Sequence, residues 1–137
     1  MIIDHIGIVV KNIEKGIEHW KTVFGYNQMT KIVTNSRQKV KVVFLTKENS
    51  TLIKLIEPSS EDSTIFMFAK KGGGLHHLCF KCDNMSEQLD FFTSQRIRIL
   101  AEPQPGEAFD NENIAFLYAK HGLNIELIDT DKKADLL

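Results

Sequence analysis

The chain has 137 residues, 42% apolar and 26% charged, with a formal net charge of −1, which suits one domain with its own core and no staples. There is no basic excess or stripe of the kind a nucleic-acid binder carries, and no apolar run near the ~18 residues that span a bilayer. The opening Met1-Ile2-Ile3-Asp4-His5 lacks the charged head and cleavage site of an export signal, so a soluble cytoplasmic protein with no nucleic-acid or membrane partner is expected.

In chain order, a strand is predicted over Ile3–Val10. Asn12 is a plausible N-cap for a helix beginning at Ile13, whose apolar positions Ile13, Ile17, Trp20 and Phe24 recur at helical spacing up to a stop at Gly25. Strands follow near Gln28–Val33, Val40–Thr46 and Thr51–Ile56. Pro58 to Gly74 is a linker, with a short helix over Ser63–Lys71 anchored by Ile65, Phe66 and Phe68. Gly72-Gly73-Gly74 reads as flexible punctuation, because no strand precedes it and no Lys-Ser/Thr follows, as a phosphate cradle requires. A strand over Leu75–Cys82 comes next. Then Asn84 caps a second helix with the stripe Met85, Leu89 and Phe92, and strands follow near Ile97–Ala101, Ile114–Tyr118 and Leu123–Asp129. The charged tail after Asp131 is expected to fray. Cys79 and Cys82 have C-x-x-C spacing, but three residues apart on a strand they face opposite ways and neither share an ion nor bridge.

Laid against itself 72 positions further on, the chain matches in three blocks. Asp4–Ile13 falls on His76–Met85, Val42–Leu45 on Ile114–Leu117, and Leu52–Ile56 on Asn124–Ile128. Each copy reads strand, helix, strand, strand, strand. The expected fold is α+β: a single domain, 1–137, of two tandem βαβββ modules (about 1–57 and 75–130, joined by the linker helix region 58–74). Together they form a curled, cup-shaped mixed sheet with the helices outside.

Alternation along the strands then selects side chains. Ile6, Ile8 and Val10, with Leu78, Phe80 and Cys82, form the faces that pack against the helices. His5, His77, Lys54 and Glu126 lie on the opposite face as two repeat-related pairs, so packing about a pseudo-two-fold axis brings all four into the cup. His76 has the parity of Leu78 and is expected on the helix side or the rim.

Four stretches carry a resemblance: Asp4-His5-Ile6-Gly7-Ile8-Val9-Val10, Phe24-Gly25-Tyr26, Gly73-Gly74-Leu75-His76-His77-Leu78-Cys79 and Gly122-Leu123-Asn124-Ile125-Glu126-Leu127-Ile128. With Glu61-Asp62-Ser63-Thr64-Ile65 in the linker, they make residues 3 to 130 similar to the methylmalonyl-CoA epimerases of the vicinal oxygen chelate superfamily. The resemblance implies a divalent ion (Co, Zn, Ni, Mn or Fe) in the cup, held by His5, His77 and Glu126, with Lys54 where the family has a Gln or Glu ligand. Protonated lysine has no lone pair to donate. Three readings follow: the triad holds the metal without Lys54, the Lys54 ammonium replaces the metal and pairs with Glu126, or Lys54 is recruited for chemistry as an amine or an enolate clamp.

By alignment and parity Lys41 is expected to face the cup where some epimerases place their base, and Glu126 and Lys41 become candidate proton carriers. The implied activity is α-proton abstraction from an acyl thioester such as an acyl-CoA, with enolate stabilisation, in a homodimer for which Phe66 and Met67 are candidate contacts. Two alternatives stay open: a glyoxalase I-like lyase, and a metal-free binding module lined by Phe44, Phe116, Phe109 and Tyr118.

Overall fold

The computed structural model describes residues 1–137. In the first module β1 (Ile2–Val9) leads into α1 (Ile13–Phe24), and β2 (Asn27–Gln28), β3 (Val33–Asn35), β4 (Val40–Thr46) and β5 (Leu52–Pro58) follow. After the linker helix α2 (Phe66–Lys70) come β6 (Gly74–Lys81), α3 (Met85–Ser94), β7 (Arg98–Gly106), β8 (Glu112–Ala119) and β9 (Leu123–Ile128). The helix entries are duplicated down to their dihedrals. Asn12 and Asn84 each sit at φ −141°, and each side-chain oxygen accepts a hydrogen bond of 2.9 Å from the N–H three residues on, at Lys15 and Glu87.

All nine strands form one open mixed sheet in the order β2-β4-β5-β1-β6-β9-β8-β7, with β3 also on β4. β1 pairs in parallel with β5, and β6 with β9; the two modules meet where β1 and β6 run antiparallel. Three apolar clusters follow from strand alternation. Ile13, Val43, Leu45, Ile53 and Leu55 pack under α1, and Met85, Leu89, Leu117, Ile125 and Leu127 under α3. The third lines the cup and draws on both modules, with Val42, Phe44, Cys79, Phe109 and Ile114 among its members. Cys79 and Cys82 fall in different clusters, as their spacing requires. No helix is long and apolar enough to cross a membrane.

Several expectations need correction. The single strand foreseen near Gln28–Val33 is split into β2 and β3, because Thr30 between them turns away: it bridges to Leu136, while its hydroxyl accepts the Phe44 N–H at 3.1 Å. The tail after Asp131 is therefore not frayed. Its backbone bonds Lys31 through Asp135, Ala108 through Ala134 and Met29 through Leu137, and Lys133 and Ala134 are buried. Strand β7 runs on to Gly106 despite Pro103 and Pro105, which an edge strand tolerates. The linker helix starts only at Phe66 and is anchored by Ile65 and Ala69, leaving Met67 and Phe68 exposed.

Candidate functional site

The central strand pair sets the site. In the β1/β6 register His5 lies opposite Cys79, and His77 opposite Gly7, so each imidazole faces a small residue. A Cβ on Gly7 would come within 2.2 Å of the His77 ring, so only glycine leaves room for that imidazole. The flanking strands put Lys54 beside Gly7 and Glu126 beside Cys79. One strand further out, Phe44 pairs with Lys54 and Phe116 with Glu126. The four side chains that strand parity selected thus meet in the cup, and each of them is buried.

Their functional atoms converge. His5 Nε2 is 3.0 Å from Glu126 Oε1 and 3.2 Å from His77 Nε2, and His77 Nε2 is 3.4 Å from the same carboxylate oxygen. Lys54 Nζ approaches the other oxygen, Oε2, at 3.5 Å. Neither oxygen of Glu126 receives a well-aimed hydrogen bond from protein, although both are wholly buried. Burial opposes ionisation of Glu126, but the Lys54 ammonium and the two imidazoles outweigh it and hold the carboxyl well below the usual carboxylate range. Burial pushes the His77 imidazole down to about 4, against the pull of Glu126, so it is neutral at pH 7.

Each histidine is also held from behind. Asp4 Oδ2 is 2.7 Å from His5 Nδ1, and His76 Nδ1 is 2.9 Å from His77 Nδ1. Ionised Asp4 only accepts, so the His5 ring carries a hydrogen on Nδ1, and the lone pair it can offer a ligand is the one at Nε2. Asp4 stays ionised because the His5 bond and the Lys133 ammonium, 3.2 Å from Oδ1, outweigh its burial. Lys133 also lies 5.2 Å and 5.3 Å from the ring centres of Phe44 and Phe109, and Lys54 lies 5.7 Å and 5.1 Å from the same two. The thiol of Cys79 is pushed up by burial and by Glu126 and remains protonated.

Three of these residues escaped the sequence reading. His76 leaves the helix side, one of its two expected places, because the β1/β6 register shifts by one residue there and leaves it without a partner on β1; a second shift occurs at Asp4. A bulge re-aims a side chain that simple alternation sends the other way. Lys133 sits in the tail that was expected to fray. Lys41 is a correction in the opposite sense. On β4 it shares the parity of Val43 and Leu45, which pack beneath α1, so it lies outside the cup, half exposed, with its ammonium 3.9 Å from Glu57.

A cavity of about 620 Å³ opens on one side of the centre, floored by Lys54, His77, His76 and Phe116. Its rim carries Arg37 and Lys39, the latter 3.5 Å from the exposed Asp62. His5 and Glu126 lie behind this floor. On their far side Phe109, Phe44 and Lys133 close the cup, and Phe109 has no exposure at all. Of the aromatic side chains expected to line a binding cup, Phe44, Phe109 and Phe116 face inward, whereas Tyr118 is exposed.

The donor set fits a divalent ion. His5 Nε2, His77 Nε2 and Glu126 Oε1 stand 3.0 to 3.4 Å apart, the spacing of neighbouring ligands about one ion at bonds of ~2.1 Å. If His77, like His5, carries its proton on Nδ1, two bare nitrogens and a carboxylate oxygen face one another and repel unless a proton or a cation lies between them. Asp4 and His76 supply the hydrogen bonds behind both rings that such ligands commonly have.

The model of the glyoxalase/bleomycin resistance protein/dioxygenase superfamily matches residues 4–116. The uncharacterized protein YqjC of Bacillus subtilis is 34% identical over 130 residues, 93% of this chain and 91% of that one. The mitochondrial methylmalonyl-CoA epimerase of Dictyostelium discoideum is 29% identical over 133 residues, 96% and 78% of the two chains. Among solved structures, a variant methylmalonyl-CoA epimerase of Streptomyces coelicolor in complex with 2-nitronate-propionyl-CoA superposes with a TM-score of 0.82 at 28% identity, covering 94% of this chain and 96% of that one.

Proposed function

Since the chain belongs to the glyoxalase/bleomycin resistance protein/dioxygenase superfamily, we propose that it is an epimerase-like isomerase that moves the α-proton of an acyl thioester. One observation carries this reading: His5, His77 and Glu126 aim three donor atoms at one point directly behind a cavity whose floor presents Lys54. Epimerase relatives and the acyl-CoA analogue bound by a structural neighbour support the substrate class. The cationic rim of Arg37 and Lys39 suits the phosphates of a coenzyme A handle, with the acyl end reaching the floor.

The residues that would hold a divalent ion are His5, His77 and Glu126. When bound, such an ion acidifies a carbon acid by withdrawing electron density from the thioester carbonyl. The protein groups supply the proton traffic. Lys54 and Glu126 come from β5 and β9, which flank the central strand pair, and their charged ends meet 3.5 Å apart, so a substrate whose α-carbon lay between them would part this ion pair. Inversion at a carbon needs one group to take the proton from one face and a second to return one to the other. With Lys41 outside the cup, Glu126 through Oε2 and Lys54 are the two carriers. Exclusion of water by Phe44, Phe109 and Phe116 strengthens the field of Lys54 on developing enolate charge.

The test is deuterium uptake at the α-carbon of methylmalonyl-CoA in D₂O, followed by mass spectrometry with and without added Co²⁺. Protein-dependent exchange that vanishes in Glu126→Gln is the expected result. Stoichiometric metal binding with no exchange above background would overturn the isomerase reading. One observation favours a second reading. Lys54 already neutralises Glu126, and Lys133 neutralises Asp4, so the cup is charge-balanced without an ion, as in a metal-free binding module. That module would bind acyl-CoA without Co²⁺ and leave the α-hydrogen in place.

A further inference from the structure

The C-terminal tail brings a charged side chain into the interior beside the candidate ligand set. Lys133 is almost fully buried, and it arrives there because its neighbours bond the segments around Met29 and Ala108. Anchoring a tail does not require a buried ammonium; an apolar residue would serve at lower desolvation cost. Asp4 is held at both ends. Its Oδ1 meets Lys133 Nζ at 3.2 Å, and its Oδ2 meets His5 Nδ1 at 2.7 Å. A carboxylate fixed on one oxygen cannot turn about its terminal bond, so the second oxygen stays aimed at the imidazole. That bond in turn fixes both the plane of the ring and the nitrogen that carries its proton.

We propose that Lys133 is a positioning residue of the metal site, acting through Asp4 to hold the His5 imidazole with its Nε2 lone pair facing His77 and Glu126. The inference rests on the reading of His5, His77 and Glu126 as metal ligands. It makes the tail after Asp131 part of the site rather than an appendage. The Lys133 ammonium also lies over the rings of Phe44 and Phe109, 5.2 Å and 5.3 Å from their centres, so it packs on the closed side of the cup as well as gripping Asp4.

The test uses the full chain with Lys133→Met, which keeps the stem and removes the charge and donors. Co²⁺ alone is titrated by calorimetry. In parallel, the ring ¹⁵N resonances of His5 are read in metal-free protein. Lys133→Met is expected to bind Co²⁺ at least tenfold more weakly, and its His5 to show mixed ring tautomers where the parent shows one protonated at Nδ1. Lys133→Arg should restore affinity to within threefold of the parent. In an Asp4→Ala background the same Lys133→Met change should alter affinity less than twofold. A further tenfold loss there would overturn the route through Asp4. Parent-like Co²⁺ affinity together with a single His5 tautomer in Lys133→Met would overturn the proposal and reduce Lys133 to a tail anchor. If the parent itself takes up no Co²⁺, the metal reading fails, and the tautomer comparison alone decides whether Lys133 orients His5.

Discussion

Asp4 and His76 occupy equivalent places 72 residues apart, each displaced by a slip in the β1/β6 register and each bonded to Nδ1 of the histidine that follows it. The duplication therefore covers the support behind the ligands as well as the ligands. The two supports differ in chemistry, since a carboxylate stands behind His5 and a neutral ring behind His77. A carboxylate partner makes an imidazole the more basic ligand.

From this difference, His76→Asp should tighten Co²⁺ binding at least threefold, about 0.7 kcal/mol, and His76→Ala should weaken it. Calorimetry on the three proteins at one pH checks the order. Equal affinities would mean that the bond between His76 and His77 has no bearing on the metal site.

Lys54→Gln removes a positive charge that lies 3.5 Å from Glu126 and offers an oxygen in its place. Co²⁺ affinity should rise at least tenfold, about 1.4 kcal/mol. Deuterium uptake by a bound thioester should fall at the same time, because a proton carrier has gone. A variant that binds the metal more tightly and still exchanges at the parental rate would remove Lys54 from the proton traffic.

Acid should destabilise the metal-free protein from near pH 6.5 downward. His77 is held at about 4 in the fold against 6.5 when unfolded, so between those values the unfolded chain binds a proton that the folded chain does not. Stability then rises with pH across that window, by up to roughly 3 kcal/mol, and is fully present above it. Glu126 and Asp4, both held low, lose their contributions as pH falls further through the carboxylate range, which steepens the same trend. Melting temperatures in chelator from pH 7 to pH 4 measure this. A flat profile, or the same slope in His77→Gln, would contradict it.

Lys41→Gln should leave thioester exchange within twofold of the parent and stability within about 0.5 kcal/mol, because the side chain is half exposed outside the cup and its ion pair with Glu57 is loose. A large loss of exchange would return Lys41 to the reaction.

Much of the centre was legible from the chain alone. His5, His77, Lys54 and Glu126 were found because duplication and strand alternation are both regular, and the flanking strands keep that regularity. Alternation fails wherever a strand gains a residue, so it does not reveal that Asp4 and His76 stand behind the two histidines. Lys133 was hidden for another reason: nothing in a short charged tail says that Thr30 and Ala108 will receive it. Lys41 is expected in the cup by alignment and parity, whereas the observed β4 gives it the parity of Val43, on the outer face. The aromatic lining was legible for Phe44, Phe116 and Phe109 but not for Tyr118, which is exposed; Phe44 and Phe116 are repeat-related, whereas Phe109 comes from a 3-10 turn, Glu107–Phe109.

The cavity has a floor but no exit, because Phe109, Lys133 and the docked tail shut the far side. A long molecule entering past Arg37 must leave by the same door, head last. Its handle never passes through the protein, so it stays in solvent or on the rim throughout the visit. A thioester tethered by that handle to a bead or a carrier protein would reach the floor as a free one does, and the size of what trails outside would not limit what is accepted.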